Sequence, residues 1–179
     1  MPSRRPLPAL VGAALALAAC AGGPAPRTAP APASAADTAE ARRAAMGFVA
    51  AFDSLQWDRF RGYLAGDVTM FFPFAQVPRR ADGRAAVEAV FQQFFQGNRA
   101  ARERAGRPMV QGLVPRDVVF QMLGADASML SFHLGEQSPA RRSIAFRRQG
   151  GEWKVAHWHA SPAPAAPPAG APSAASPRP

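Results

Sequence analysis

From Arg116 to Ser161 the chain repeats one pattern: a run of roughly eight residues with apolar side chains at alternate positions, then a turn. The runs are Arg116 to Leu123, Ala127 to Leu134, Arg141 to Arg148 and Trp153 to Ser161. The breaks are Gly124-Ala125-Asp126, Glu136 to Pro139 and Gly150-Gly151. Alternation of this kind marks strands with one buried face, and a two-glycine break suits a tight hairpin. Such runs in succession predict an antiparallel meander. In the second run Leu130, Phe132 and Leu134 take one face, and Met129, Ser131 and His133 take the other.

Upstream the period becomes helical. Asp37 is expected to cap a first helix, with Glu40 completing a capping-box-like pair. Phe48, Val49, Phe52 and Leu55 then recur at helical spacing. A short second helix from about Trp57 to Tyr63 is expected to stop at Gly66. Asp67 to Phe72 favours a strand, ended by Pro73, and Phe74 to Ala81 reads as a loop. Asp82 is expected to cap a third helix with a stripe of Val87, Val90, Phe91 and Phe94. The polar, arginine-rich stretch from Gly97 to Pro108 reads as a loop or a frayed helix end. Residues 37–161 suit one domain with one core, and no internal repeat is visible. The fold class is α+β, with about three N-terminal helices on one face of a strongly curved antiparallel sheet.

The ends of the chain have a different character. Arg4 and Arg5 followed by the apolar stretch Leu7 to Ala19 read as a signal peptide over residues 1–19, too short for a permanent membrane span. Leu17-Ala18-Ala19-Cys20 looks like a bacterial lipobox, which makes Cys20 the lipidation site. Ala21 follows it, and the absence of aspartate there resembles outer-membrane sorting. The expected localisation is a membrane-anchored lipoprotein facing the periplasm. Cys20 is the single cysteine, so disulfides, a cysteine nucleophile and a cysteine-ligated metal are excluded once it is acylated. Residues 20–36 read as an Ala/Pro tether and residues 162–179 as a disordered Pro/Ala/Ser tail. The formal charge is +9, carried by scattered arginine pairs rather than a basic run interleaved with aromatics. That pattern is a poor match for nucleic acid, though it suits anionic lipid or a small anion.

Three segments carry a family resemblance: Asp67-Val68-Thr69-Met70-Phe71-Phe72-Pro73; Asp82-Gly83-Arg84-Ala85-Ala86-Val87; and Arg141-x-Ser143-x-Ala145-Phe146-Arg147-Arg148 followed by Gly151-x-Trp153-Lys154-Val155-x-His157-x-His159-x-Ser161. In this order they resemble the SnoaL-like branch of the nuclear-transport-factor-two-like superfamily. The last segment is also similar to the association domain of calcium/calmodulin-dependent kinases. The resemblance implies a cone-shaped sheet with an internal pocket, and a convex face that commonly pairs two protomers into a homodimer. Members include isomerases, dehydratases, epoxide hydrolases, polyketide cyclases and binding modules, so fold alone does not settle function.

The site candidates follow from strand parity. His157 and His159 lie two apart and share parity with Trp153 and Val155, whereas Trp158 points the other way. If the histidine face is concave, the histidines approach the pocket mouth and Trp158 is free to anchor a dimer. His157 or His159 is then a candidate general base, with Arg141 and Ser143 beside them and Phe72 in an apolar wall. A zinc site formed by His133, His157 and His159 is a sharper alternative that ranks lower, because no carboxylate is placed beside it by motif. Isomerase-like relatives require an acid near the end of the first strand, where this chain has Phe71-Phe72-Pro73-Phe74. Asp53 and Asp58 read as solvent-facing helix acids. The leading expectation is a module holding a small apolar or anionic ligand, without metal or cofactor, through His157, His159, His133, Arg141, Ser143 and Phe72. An acid–base enzyme of isomerase, cyclase or dehydratase type and a noncatalytic dimerisation module are the alternatives.

Overall fold

The computed structural model describes residues 32–77, 79–136 and 140–162. Cys20, most of the tether and nearly all of the tail lie outside these residues. No helix among the described residues is long and apolar enough to cross a membrane.

The elements run α1 (Ala35–Asp53), α2 (Trp57–Gly62), β1 (Leu64–Phe71), β2 (Ala81–Asp82), α3 (Arg84–Arg104), β3 (Pro115–Met122), β4 (Ala127–Leu134), β5 (Ala140–Gln149) and β6 (Glu152–Ala160). They form an α+β fold with one six-stranded sheet in the order β2-β1-β6-β5-β4-β3. β3 to β6 are the expected antiparallel meander. The sheet is mixed rather than purely antiparallel, because β1 runs parallel to β6.

The helix starts differ from expectation. Ser34, not Asp37, caps α1, and Asp37 is its reciprocal capping-box partner three residues on. Serine's short hydroxyl accepts from the Asp37 backbone N–H at 3.0 Å while the Asp37 carboxylate accepts from the Ser34 N–H at 3.1 Å. Those bonds to Ser34 hold the Asp37 carboxyl below the usual aspartate pKa. Asp82 caps nothing. It lies in β2, pairs with Arg80 at 2.7 Å, and leaves Gly83 (φ +85°) to open α3. α3 also continues to Arg104, so most of the stretch read as a loop or a frayed helix end is the end of α3. Good helix formers (Ala, Arg and Glu) dominate its helical part, so polarity marked an exposed helix face rather than a break.

The core lies between the helices and the concave sheet face. Ala41, Ala45, Phe48 and Ala51 of α1 and Val87, Phe91 and Phe95 of α3 are fully buried. The alanines let α1 approach closely, and the phenylalanines fill the space behind them. One cross-strand row, Met70, Trp158, Ile144, Leu130 and Phe120, lines the concave face from β1 to β3. Arg148, on the same face of β5, donates to Asp37 and Glu40 of α1, both at 2.8 Å, and ties the helix start to the sheet.

β6 carries the feature that decides the site. Ala145 opposes His157, yet the next residue, Phe146, opposes Val155. Ala156 is the extra residue of a β-bulge, and one extra residue reverses strand parity. Trp153 and Val155 face the core before the bulge; Trp158 and Ala160 face it after.

Candidate functional site

The bulge corrects the expected placement of the histidines. His157 and His159 face the convex side, away from Trp153 and Val155. Trp158 points inward with 4% exposure, stacked on Phe91 at 5.2 Å and edge-on to Phe48 and Phe52, each at 5.3 Å. It therefore anchors the core and not a dimer.

The other expected site residues sort by the same parity. Arg141 and Ser143 alternate with buried Ile144 and Phe146, so they too are convex. His133 is convex on β4, opposite Arg141, with its Nδ1 3.0 Å from Asp117 Oδ2. β5 separates His133 from His157 and His159, and among the described residues no three His, Cys, Asp or Glu side chains gather as metal ligands. Phe72 lines the interior cavity. On the convex face, Phe71 packs against both histidines, with ring centroids 5.9 Å from His157 and 5.7 Å from His159. His157 Nδ1 lies 2.7 Å from Thr69 Oγ1. Burial, helped by the charges of His159 and Arg80, holds the His157 pKa below the usual histidine value.

The concave side holds a cavity of about 130 Å³. Its walls are mainly aromatic: Phe52, Phe72, Phe74, Phe91, Phe94 and Trp158. Phe52 and Phe94 stack at 5.5 Å, and Phe72 and Phe74 at 5.9 Å. The polar side chains in its lining are Gln111 and Arg142. Arg142 lies opposite Phe132 and Ala160, one row beyond Trp158. Its Nη1 donates to the backbone oxygens of Arg141 and Ser161, both at 2.8 Å. Burial lowers its pKa from the usual arginine value, but a guanidinium stays charged near neutral pH. Trp158 Nε1–H is buried with no acceptor among the described residues. Leaving such a donor unpaired costs about 1–3 kcal/mol.

Arg142 and Gln111 were missed from sequence. Arg142 had a readable signal, because it shares parity with Ile144 and Phe146, the apolar residues that mark the buried face of β5. Gln111 had none. It is held by tertiary bonds, its side chain donating to Phe52 O at 2.6 Å and its backbone N–H to Asp53 O at 2.7 Å. Asp53 is likewise no idle surface acid, since its carboxylate accepts the Leu113 N–H at 2.8 Å and fixes the segment beside the cavity.

A larger groove of about 490 Å³ runs between α1, α2 and the β5–β6 hairpin. It is a surface cleft where Glu40 and Glu152 offset Arg43, Arg59 and Lys154. The smaller cavity is the better candidate, because its walls are mainly aromatic with few polar groups, the usual make-up of a small-molecule pocket.

A curved sheet folded over three helices, with a cavity in its concave face, defines a small-molecule-binding or catalytic module. The SnoaL-like domain family matches residues 42–166, and the chain belongs to that family. No curated protein sequence matches the chain. Similar solved structures share the fold at low identity. A suggested dehydratase of the NTF2-like family from Streptomyces avermitilis has a TM-score of 0.56 at 16% identity, covering 73% of this chain and 98% of its own. An NTF2-like protein of unknown function from Pseudomonas putida KT2440 gives 0.55 at 19%, covering 72% and 88%. The association domain of C. elegans CaMKII gives 0.51 at 14%, covering 71% and 96%.

Proposed function

We propose that this protein is a lipid-anchored, periplasm-facing binding module whose interior cavity holds a small, mostly apolar molecule. One observation carries the reading: aromatic rings wall the cavity, and its lining includes no histidine, aspartate or glutamate. General acid–base catalysis needs a group of suitable pKa within reach of the substrate. The histidines are on the opposite face of the sheet. Binding is therefore favoured over isomerase, cyclase or dehydratase chemistry at a strand histidine. The volume, about 130 Å³, lies below the usual ~300–1,000 Å³ of ligand pockets and favours a compact occupant.

Phenol, a neutral probe, tests the cavity. Titrated into the full chain in detergent, it is expected to change tryptophan emission saturably. Ala160 lines the cavity, and Ala160→Phe, checked for a native melting transition, is expected to abolish the response. An equal response in that variant contradicts the reading.

The anchor and the dimer belong to the same proposal. Cys20→Ser is expected to move the protein from the membrane to the soluble fraction, and an unchanged distribution rejects lipidation. Ala21 supports placement in the outer membrane. On the convex face Phe71, His159, Ser143, Ser131 and Val119 form one cross-strand row, with Phe71 41% and Val119 50% exposed. An apolar residue at each end of a polar row supports a homodimer through this face, as does the likeness to an association domain. Phe71→Glu is expected to turn a dimer into a monomer in sedimentation. A monomeric wild type, or a dimer indifferent to the change, contradicts it.

A further inference from the structure

A guanidinium has five N–H donors. In Arg142 both Nη1 hydrogens are used by the Arg141 and Ser161 carbonyls. The Nε–H and the two Nη2–H have no acceptor among the described residues. All twelve Asp and Glu residues of the chain are among those described, and none forms an ion pair with Arg142. A half-buried cation without a counter-charge is less favourable than a paired one. The free Nε–Nη2 edge has the two parallel donors that match the two oxygens of a carboxylate.

The walls specify the rest of the ligand. Three near-parallel aromatic pairs surround the space: Phe52 with Phe94 at 14°, Phe91 with Trp158 at 20°, and Phe72 with Phe74 at 21°. Each pair is in ring-on-ring contact at 5.2–5.9 Å, and the outer faces and edges these rings turn to the cavity accept a flat ring through offset or edge contacts. A dry apolar cavity of about 150 Å³ takes benzene, so a space of about 130 Å³ fits one ring and excludes fused systems.

We propose that the cavity selects a single-ring aromatic monocarboxylate, its carboxylate on the Nε–Nη2 edge of Arg142 and its ring among the phenylalanines and Trp158. This rests on the reading that the cavity is a ligand site. One guanidinium matches one negative charge, so cations and dianions are disfavoured.

The test compares benzoate, its neutral isostere benzamide, the non-planar cyclohexanecarboxylate, and phenol, by calorimetry on the full chain in detergent. Benzoate is expected to bind at least ~10-fold tighter than benzamide, the worth of one charge-assisted hydrogen bond. Cyclohexanecarboxylate is expected to bind several-fold more weakly than benzoate. Arg142→Met is expected to erase the preference for benzoate over benzamide while phenol still enters. Arg142→Lys keeps the charge but not the fork, and is expected to lose most of the preference; it serves alone if the methionine variant does not fold. Benzamide equal to benzoate overturns the carboxylate assignment while leaving the cavity reading intact. Cyclohexanecarboxylate equal to benzoate overturns the aromatic assignment. An undiminished preference in Arg142→Lys overturns the Arg142 anchor. Failure of all four probes overturns the cavity reading and the proposal together.

Discussion

Trp158→Ala tests the reversal of β6 most sharply, because the two possible facings differ by several kcal/mol. In the folded chain Trp158 is 4% exposed and lies within 5.2–6.4 Å, centroid to centroid, of Phe48, Phe52, Phe60 and Phe91. Truncating a buried tryptophan to alanine costs about 3–5 kcal/mol, lost transfer energy and residual cavity included. The loss falls in the upper part of that range here, because the rings around the gap hold one another and cannot collapse into it. For a domain of this size about 4 kcal/mol lowers Tm by roughly 10–25 °C. His159→Ala, on the exposed face, is expected to change stability by less than about 1 kcal/mol. Urea unfolding followed by circular dichroism reads both variants, with unchanged m-values marking a pure stability effect. If His159→Ala costs as much as Trp158→Ala, or Trp158→Ala falls within surface values, the bulge at Ala156 is wrong and the concave cavity is wrong with it.

Three further outcomes follow from the same geometry. Deleting Ala156 removes the bulge and drives Trp158 toward solvent, so the variant is expected to lose cooperative thermal unfolding; a native-like melt contradicts the assignment. Asp53→Ala removes the acceptor of the Leu113 N–H and is expected to cost about 1–3 kcal/mol, whereas Asp53→Asn retains an oxygen acceptor and is expected to lose less; equal losses in urea titrations contradict that role. His157 has a depressed folded-state pKa, so the unfolded chain takes up its proton first as pH falls. Its contribution to stability is complete above the ordinary histidine value of about 6.5 and declines as pH drops toward the depressed folded value. Melting between pH 7.5 and 5 is expected to show this decline in wild type and a shallower one in His157→Gln, which keeps Thr69, His159, Arg80 and Phe71 around the site; identical slopes contradict it.

The sequence revealed the larger pattern because that pattern is periodic. The alternation in β4 and β5 and the glycine turn before β6 are local signals, and they led to the observed meander. The parallel pairing of β1 with β6 has no local signature, because register across such separation is set by tertiary packing. The site was misplaced by one residue. Trp153, Val155, His157 and His159 form an unbroken period of two, and nothing in Lys154-Val155-Ala156-His157 marks Ala156 as unpaired. Trp158 was the available warning, since a large aromatic residue among neighbouring phenylalanine stripes has more to gain inside than out. Arg141 and Arg142 are adjacent arginines on opposite faces, and only their parity with Ile144 tells them apart.

Methyl NMR of the full chain labelled at methionine tests the central claim most directly. Met70 lies in the cavity wall and Met129 on the convex face of β4. During a benzoate titration the Met70 signal is expected to shift saturably while Met129 stays still, with affinity unchanged from pH 6 to 8 because no lining residue titrates there. A shift at Met129 with Met70 unmoved contradicts the account and returns the site to the convex face.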